Sequence, residues 1–145
     1  MGKDHFLERF VNPKSIAIIG AGDDPLRING RSLMFMLRHG SVGKLLPVNP
    51  NRDVVQGVTC YRRIADLAET PDVGMVIVNK GLVPEAVEEL GKKGCPFAII
   101  TASGYGETGA TGREDQKNLV KLAQKYGMRL MGPNCMGAVN LHGRL

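Results

Sequence analysis

A broken glycine fingerprint follows the first apolar run of the chain. Gly20, Ala21 and Gly22 supply the first two glycines of a G-x-G-x-x-G pattern, and Pro25 stands where the third would be. Backbone N–H groups of such a turn, next to a helix N-terminus, attract phosphate because unpaired donors and the helix dipole both favour an anion. The pattern predicts a pyrophosphate site. A second interpretation stays open, in which the glycines only permit a tight strand-to-helix turn.

A second candidate segment carries amides and a cation. It consists of Val48, Asn49, Pro50, Asn51 and Arg52. NAD sites usually place an acid at this point to bind ribose hydroxyls, but no carboxylate occurs here before Asp53. A guanidinium suits a phosphorylated ribose through paired hydrogen bonds. The segment therefore favours coenzyme A or NADP over NAD, unless Arg52 is an ordinary solvated side chain.

Cysteine, acidic and histidine side chains give weaker signals. Cys135 has no His or acid near it in the sequence, so we interpret it as a packing or pocket-lining thiol rather than a nucleophile. Glu107 is interpreted as a solvated loop acid, because no partner for a general base can be named. Asp23-Asp24 would repel a phosphate unless the carboxylates point outward or hold a cation, and both readings stay open. The histidines lack metal-ligand spacing.

Alternating strands and helices would position these loops. Strands are predicted at Ser15–Gly20, Lys44–Val48, Val73–Val78, Phe97–Ala102 and Met128–Met131, and helices at Asn29–Arg38, with Asn29 as N-cap, at Pro84–Lys93 and at Arg113–Tyr126. This order predicts one doubly wound, Rossmann-like α/β domain with a five-stranded parallel sheet. Ligands of such sheets bind beyond the carboxyl ends of the strands. We assign residues 1–14 to an N-terminal segment, 15–139 to the domain and 140–145 to a linker toward a following domain.

Composition narrows the partners. The 145 residues include 19 Lys and Arg against 14 Asp and Glu, a net charge of +5, but the basic residues are scattered and aromatics make up only 5%, which argues against nucleic acid. No apolar run approaches the roughly 18 residues of a membrane span. Three cysteines without paired spacing argue against a disulfide framework or a zinc ribbon, and favour a reducing, cytoplasmic setting.

Taken in order and at these spacings, the loop motifs resemble the coenzyme A-binding domain of nucleoside-diphosphate-forming acyl-CoA synthetases, the group that includes the succinyl-CoA synthetase alpha subunit. The resemblance covers about residues 10–141. Its motifs are Ile19-Gly20-Ala21, Pro47-Val48-Asn49-Pro50, Gly57 with Tyr61, Val76-Ile77-Val78 with Val83-Pro84, the run from Ile99 to Glu107 followed by Gly109, and Gly132-Pro133-Asn134-Cys135 with Gly137.

The resemblance implies coenzyme A or an acyl-CoA as ligand. The first loop would hold the phosphates, and the segment from Asn49 to Arg52 would meet the adenosine end. The pantetheine arm would pass between Val78, Asn79 and Lys80 on one side and Thr101, Ala102, Ser103 and Gly104 on the other, with the thioester end near Asn134 and Cys135. Two departures stand out. Synthetase relatives commonly have Pro-Ala in place of Asn79-Lys80, and many have Lys in place of Asn51.

Three functional hypotheses follow. In the first, the domain belongs to an ADP-forming acyl-CoA synthetase and, without catalysing by itself, presents the coenzyme A thiol to an acyl phosphate made by further domains or a partner subunit. In the second, it is a coenzyme A-sensing domain of a protein acetyltransferase or a stand-alone coenzyme A-binding module. The third, an NAD(P)-binding domain, is disfavoured by Pro25 and by the missing acid. The acyl group and the oligomeric state, including a homo-oligomer, stay open.

Overall fold

The computed structural model describes residues 5–41 and 43–142. Its strands are β1 (Ser15–Ile19), β2 (Lys44–Val48), β3 (Val54–Val55), β4 (Val58–Thr59), β5 (Val73–Val76), β6 (Phe97–Ile100) and β7 (Arg129–Met131). Its α-helices are α1 (Glu8–Val11), α2 (Ile28–Arg38), α3 (Val83–Lys92) and α4 (Ala110–Lys125), and short 3-10 turns cover Ile64–Asp66, Lys80–Leu82 and Gly106–Thr108. Within these residues, no helix combines the length and apolar character needed to cross a membrane.

Five parallel strands form the central sheet, in the order β2-β1-β5-β6-β7. The strand order reverses between β1 and β5, because the chain builds outward from β1 to β2 on one side and from β5 to β7 on the other. Ile19, at the end of β1, pairs with Val48 of β2 and with Val76 of β5. The loops after these three strands therefore meet at one edge. The predicted doubly wound, five-stranded α/β fold is confirmed.

Helices cover both faces of the sheet, so β1 is buried along its whole length. Since successive side chains of a strand point to opposite faces, β1 serves two cores. Ala17 and Ile19 belong to the cluster that contains the buried residues of α3 and α4. Ile16 and Ile18 pack in a second cluster with Leu33 of α2. This burial explains the unbroken β-branched and apolar run by which the strand is predicted.

The structure corrects the starts of two helices. The N-cap of α2 is Arg27, so the prediction that Asn29 caps this helix is wrong. Asn29 lies in the first turn instead, where its side-chain amide donates to the carbonyl oxygen of Gly20 at 3.0 Å. Helix α4 begins at Ala110 rather than at Arg113, directly after Gly109. Gly109 has a φ of 116°, a conformation that glycine alone reaches readily, and it lets the chain turn into the helix early.

Residues before β1 pack against the sheet. The Phe6 and Phe10 rings lie 4.7 and 5.2 Å from the ring of Phe97 in β6, measured between centroids. Arg9 donates to the buried carboxylate of Asp72 through Nε at 2.7 Å and lies within 2.6 Å of it through Nη2. The same carboxylate accepts the backbone N–H of Lys14 at 2.8 Å. Asp72 thus joins the N-terminal segment to the start of β5.

We expect Asp72→Ala to lower the free energy of unfolding by about 2 kcal/mol, because it leaves the Lys14 N–H and the Arg9 guanidinium without their acceptor. Urea unfolding followed by circular dichroism measures the effect. The matched control is Asp66→Ala, which removes the carboxylate of an exposed ion pair with Arg63 and should leave the midpoint almost unchanged. Equal midpoints for the two variants would contradict the role given to Asp72.

Candidate functional site

Side-chain amides hold the loop that follows β1. The carbonyl oxygens of three successive residues, Gly20 to Gly22, each accept a hydrogen bond from one of them. The donors are Asn29, Asn49 and Gln56, in that order, at 3.0, 2.8 and 2.9 Å. These carbonyls are therefore turned into the protein. An anion approaching the loop meets none of the three negative ends that would repel it.

The backbone N–H groups of the same three residues also donate inside the protein. Gly20 and Ala21 donate to the carbonyl oxygen of Val48 at 2.8 and 3.3 Å, and Gly22 donates to that of Asn29 at 3.0 Å. The glycine turn thus shapes the loop, and the donors left for a phosphate lie further along it. Between residues 20 and 30, all of which are described, four N–H groups have no protein acceptor, those of Asp23, Asp24, Ile28 and Asn29.

Each acid of the loop lies beside an arginine. Arg52 donates through Nη1 to Oδ2 of Asp23 at 2.6 Å, and the backbone N–H of Gln56 donates to Oδ1 at 2.9 Å. Arg27 Nε lies 3.5 Å from Oδ2 of Asp24. The carboxylates are engaged by protein donors and compensated locally by cations. They do not leave a bare negative charge beside the α2 N-terminus.

Arg62, which the sequence analysis missed, holds the loop after β2. Its Nε and Nη2 donate to the two carboxylate oxygens of Asp53 at 3.0 Å each, and Nη1 donates to the carbonyl oxygen of Pro50 at 3.1 Å. Both oxygens of Asp53 therefore accept a hydrogen bond from Arg62, and this ion pair holds the largely exposed carboxylate against the loop after β2. The antiparallel β3–β4 pair brings the two residues together. A β-hairpin predicted from the sequence around Gly57 would have placed Asp53 and Arg62 side by side, and would have indicated this ion pair.

Lys80 connects the loops after β5 and β6. Its Nζ lies 2.5 Å from Oδ2 of Asp115 in α4 and 5.0 Å from the centroid of the Tyr105 ring. A Cβ atom added at Gly104 would lie 3.0 Å from Cδ of Lys80, so the glycine leaves room for this crossing. The ion pair with Asp115 compensates the charge of Lys80. Thr101 is likewise engaged inside the protein, since its hydroxyl donates to the carbonyl oxygen of Val76 at 3.1 Å.

Glu107 is solvent-exposed, as predicted, and it also shapes its own loop. Its carboxylate accepts the backbone N–H groups of Gly104 and Tyr105, the latter at 3.1 Å. Hydrogen bonds from backbone N–H groups, that of Gly104 first, hold the pKa of Glu107 below its ordinary value. The carboxylate is therefore kept ionised near neutral pH and closes the loop after β6.

Cys135 lies beyond the ends of β6 and β7. Its thiol is within 3.4 Å of the carbonyl oxygen of Ile100 and 3.7 Å of that of Met131, and it packs against the cluster around Phe97. Asn134, just before it, donates its backbone N–H to the carbonyl oxygen of Ala102 at 2.9 Å. This bond ties the last loop to the loop after β6, so the residues expected around the pantetheine arm and the thiol are neighbours.

A larger cavity lies apart from the loops that follow β1, β2, β5 and β6. Its volume is about 550 Å³, and it opens on the α2 face of the sheet between Phe35, Met75, Ile99 and the segment 136–141. A smaller cavity of about 370 Å³ lies against the carboxyl edge, beside Lys80, Tyr105 and Asp115. The lining of the larger cavity is mainly apolar, and neither Arg52 nor Lys80 is part of it. Size alone therefore does not locate the site.

Together, the strand order and the loop chemistry define a Rossmann-like domain, a class of fold whose ligands bind beyond the carboxyl ends of the strands. The sequence model of the CoA binding domain family matches residues 14–140. The chain belongs to that family, and coenzyme A is its ligand.

Curated relatives and solved structures agree with this family. The chain is 40% identical to the Pyrococcus furiosus "Acetate--CoA ligase [ADP-forming] II subunit alpha" over 96% of this chain and 30% of that protein. It superposes with a TM-score of 0.91 and 37% identity on apo acetyl-coenzyme A synthetase 1 of Ca. Korarchaeum cryptofilum, over 96% of this chain and 30% of that one. A hypothetical Pyrococcus horikoshii protein gives a TM-score of 0.70 with 28% identity over 90% and 84% of the two chains. The chain thus spans under a third of the two synthetase relatives.

The three thiols should differ in reactivity. Burial raises the pKa of Cys95 to about 12 and also raises that of Cys60. A raised pKa leaves little thiolate below pH 9, whereas Cys135 is only half-buried. With iodoacetamide at pH 8, followed by peptide mass spectrometry, we expect Cys135 to be modified first and Cys95 only after unfolding in urea. Equal rates for Cys95 and Cys135 in the folded protein would contradict this order.

Proposed function

We propose that coenzyme A lies across the carboxyl edge of the sheet, with its diphosphate at the loop that joins β1 to α2. The observation that carries this placement is the inward orientation of the Gly20 to Gly22 carbonyls, next to four N–H groups without protein acceptors. Unpaired N–H groups at a helix start attract phosphate, since they add to the positive end of the helix dipole. Pro25 removes one N–H from this loop without closing it.

Arg52 is proposed to meet the 3′-phosphate of the coenzyme. Only its Nη1 contacts Asp23, so the remaining N–H donors of the planar guanidinium are free to bind a phosphate. The side chain is 53% exposed, which leaves it accessible to a ligand. Asn49, Pro50 and Asn51 would line the adenosine end beside it.

The pantetheine arm is proposed to run from the loop after β5 to the last loop. Its neighbours would be Val78, Asn79, Lys80, Thr101, Ala102, Ser103 and Gly104, with the thiol close to Asn134 and Cys135. Support comes from the bond between Asn134 and Ala102 and from the crossing of Lys80 beside Gly104, which join these loops into one surface.

As part of a longer enzyme, an ADP-forming acyl-CoA synthetase, the domain would hold the coenzyme A thiol for attack on an acyl phosphate formed by another domain or subunit. The thioester C–S bond would form as the C–O bond to phosphate breaks, and inorganic phosphate would leave. The synthetase relatives support this role, since the chain aligns with 30% of an acetate–CoA ligase alpha subunit. We also place this function in the cytoplasm, because three free thiols suit a reducing compartment.

A stand-alone coenzyme A-binding or sensing module is the second candidate function. It is favoured by the likeness to the hypothetical Pyrococcus horikoshii protein, of which the chain covers 84%. Activity and binding assays of the protein encoded by the complete gene distinguish the two candidate functions. Acyl-CoA formation from an acid, coenzyme A and ATP would support the synthetase, whereas ligand binding without turnover would support the module.

Isothermal titration calorimetry of the domain tests the ligand. We expect binding of coenzyme A and acetyl-CoA, with NAD at least tenfold weaker because NAD lacks the ribose phosphate that Arg52 is proposed to meet. NADP carries a ribose phosphate but no pantetheine arm, so it tests the phosphate contact by itself. NADP should also bind more weakly than coenzyme A. Tighter binding of NAD or NADP than of coenzyme A would overturn the proposed placement.

Arg52→Ala should weaken coenzyme A about tenfold, since a charge-assisted hydrogen bond to phosphate is lost. Dephospho-coenzyme A, which lacks the 3′-phosphate, should lose much less. Comparing the two ligands separates loss of the 3′-phosphate contact from a disturbance of Asp23, because a disturbed Asp23 would weaken both ligands equally. Arg63→Ala, which removes an exposed guanidinium elsewhere, is the matched control and should leave both affinities unchanged. Equal losses for the two ligands would exclude the contact with the 3′-phosphate.

A further inference from the structure

Gln56 occupies a backbone position that its residue type disfavours. It lies in the turn between β3 and β4 with a φ of 49°, followed by Gly57 with a φ of 80°. A two-residue hairpin turn with positive φ at both positions favours Asn-Gly or Asp-Gly. Left-handed backbone is unfavourable for a residue with a long side chain, because its Cβ crowds the neighbouring carbonyl oxygen. A glutamine at such a point indicates that its side chain has a compensating role.

The side chain of Gln56 binds both ends of the loop that follows β1. Its Nε2 donates to the carbonyl oxygen of Gly22 at 2.9 Å and to that of Gly30 at 2.8 Å, so both amide hydrogens are used. Its backbone N–H donates to Asp23 at 2.9 Å. The residue is half-buried, which strengthens these bonds relative to a fully solvated amide. One residue of the hairpin therefore fixes three points of the loop.

The loop is closely packed where Gln56 holds it. A Cβ atom added at Gly30 would collide with the carbonyl of Asp24 and lie 2.9 Å from the carbonyl oxygen of Gly22. The chain thus folds back on itself so that the start of α2 touches the end of the glycine turn. The N–H groups of Asp23, Asp24, Ile28 and Asn29 all lie within the segment that this contact closes.

We propose that Gln56 is a positioning residue for phosphate binding: it holds the loop between Gly22 and Gly30 so that its unpaired N–H groups converge on the coenzyme A diphosphate. The inference rests on the proposed site. Gln56 acts through the two glycine carbonyls and through Asp23, and its own amide hydrogens are not free to bind the ligand. The β3–β4 hairpin is accordingly a support for the loop rather than a wall of the pocket.

Binding measurements on two variants test this role. Gln56→Met keeps the length of the side chain but removes both donors, and it should weaken coenzyme A about tenfold. Gln56→Glu places a carboxylate against two carbonyl oxygens and should weaken it further at pH 8. Lowering the pH toward 5 protonates that carboxyl and restores one donor, so this variant should regain affinity relative to the unaltered domain. Asp23 and Arg52 are the charged groups beside the substituted carboxyl.

Gln124→Glu is the matched control, because Gln124 is exposed on α4 and receives the same added charge. Its affinity should follow that of the unaltered domain at every pH. If Gln56→Met and Gln56→Glu bind coenzyme A as tightly as the unaltered domain, the positioning role is wrong. If Gln56→Glu shows no recovery at acidic pH, the two amide hydrogens are not the operative contacts and the role is equally wrong.

Amide hydrogen exchange without ligand separates this inference from the proposed function. The N–H groups of Gly22 and Gly30 donate to Asn29 and Arg27, and we expect both to exchange at least tenfold faster in Gln56→Met while β1 amides are unchanged. If the unaltered domain does not bind coenzyme A, the proposed function fails, and the exchange rates of Gly22 and Gly30 then serve as the test of whether Gln56 positions the loop. Unchanged exchange of the two amides would then overturn its role.

Discussion

The carbonyl groups at the end of β1 impose the main constraint on this molecule. Where a buried strand ends at a tight turn, its backbone oxygens leave the sheet and still require donors, since an unpaired buried carbonyl is costly. Asn29, Asn49 and Gln56 satisfy three such oxygens in succession. These amides come from a helix, a strand end and a hairpin, so three separate elements must be in place before the loop acquires its shape.

The strand order makes that convergence feasible. Because β2 lies beside β1 with Val48 opposite Ile19, Asn49 follows β2 where Gly20 follows β1, and its side-chain amide bridges the two loops by donating to Ala21. The β3–β4 hairpin then continues from the same edge, held by Arg62 and by a parallel bridge between Val48 and Tyr61. The family motif around Asn49 and the hairpin are therefore parts of one arrangement. Removing either would release the same loop.

Short-range patterns allowed the fold to be predicted, and long-range contacts explain what was missed. Each strand is an apolar run ended by glycine or by a turn, and such a run reports burial directly. Asn29 fits an N-cap equally well by sequence, and only the fold shows that its amide reaches back to Gly20. The pairing of Lys80 with Asp115 spans 35 positions, so spacing carries no sign of it. Candidate loops could thus be named, but not their internal bonds.

Charge compensation makes a loop with two acids compatible with the anion site proposed there. Arg52 and Arg27 lie beside Asp23 and Asp24, and Arg52 retains further donors because a guanidinium offers five N–H groups. A phosphate can therefore join Arg52 without displacing Asp23. In the proposed site, the contact with Asp23 would orient the guanidinium before coenzyme A arrives and so reduce the entropy lost on binding. By charge alone, Asp23 would disfavour an anion at this loop. Its Oδ2 instead accepts a hydrogen bond from Arg52, and its Oδ1 accepts the backbone N–H of Gln56, so the carboxylate orients the guanidinium beside the loop.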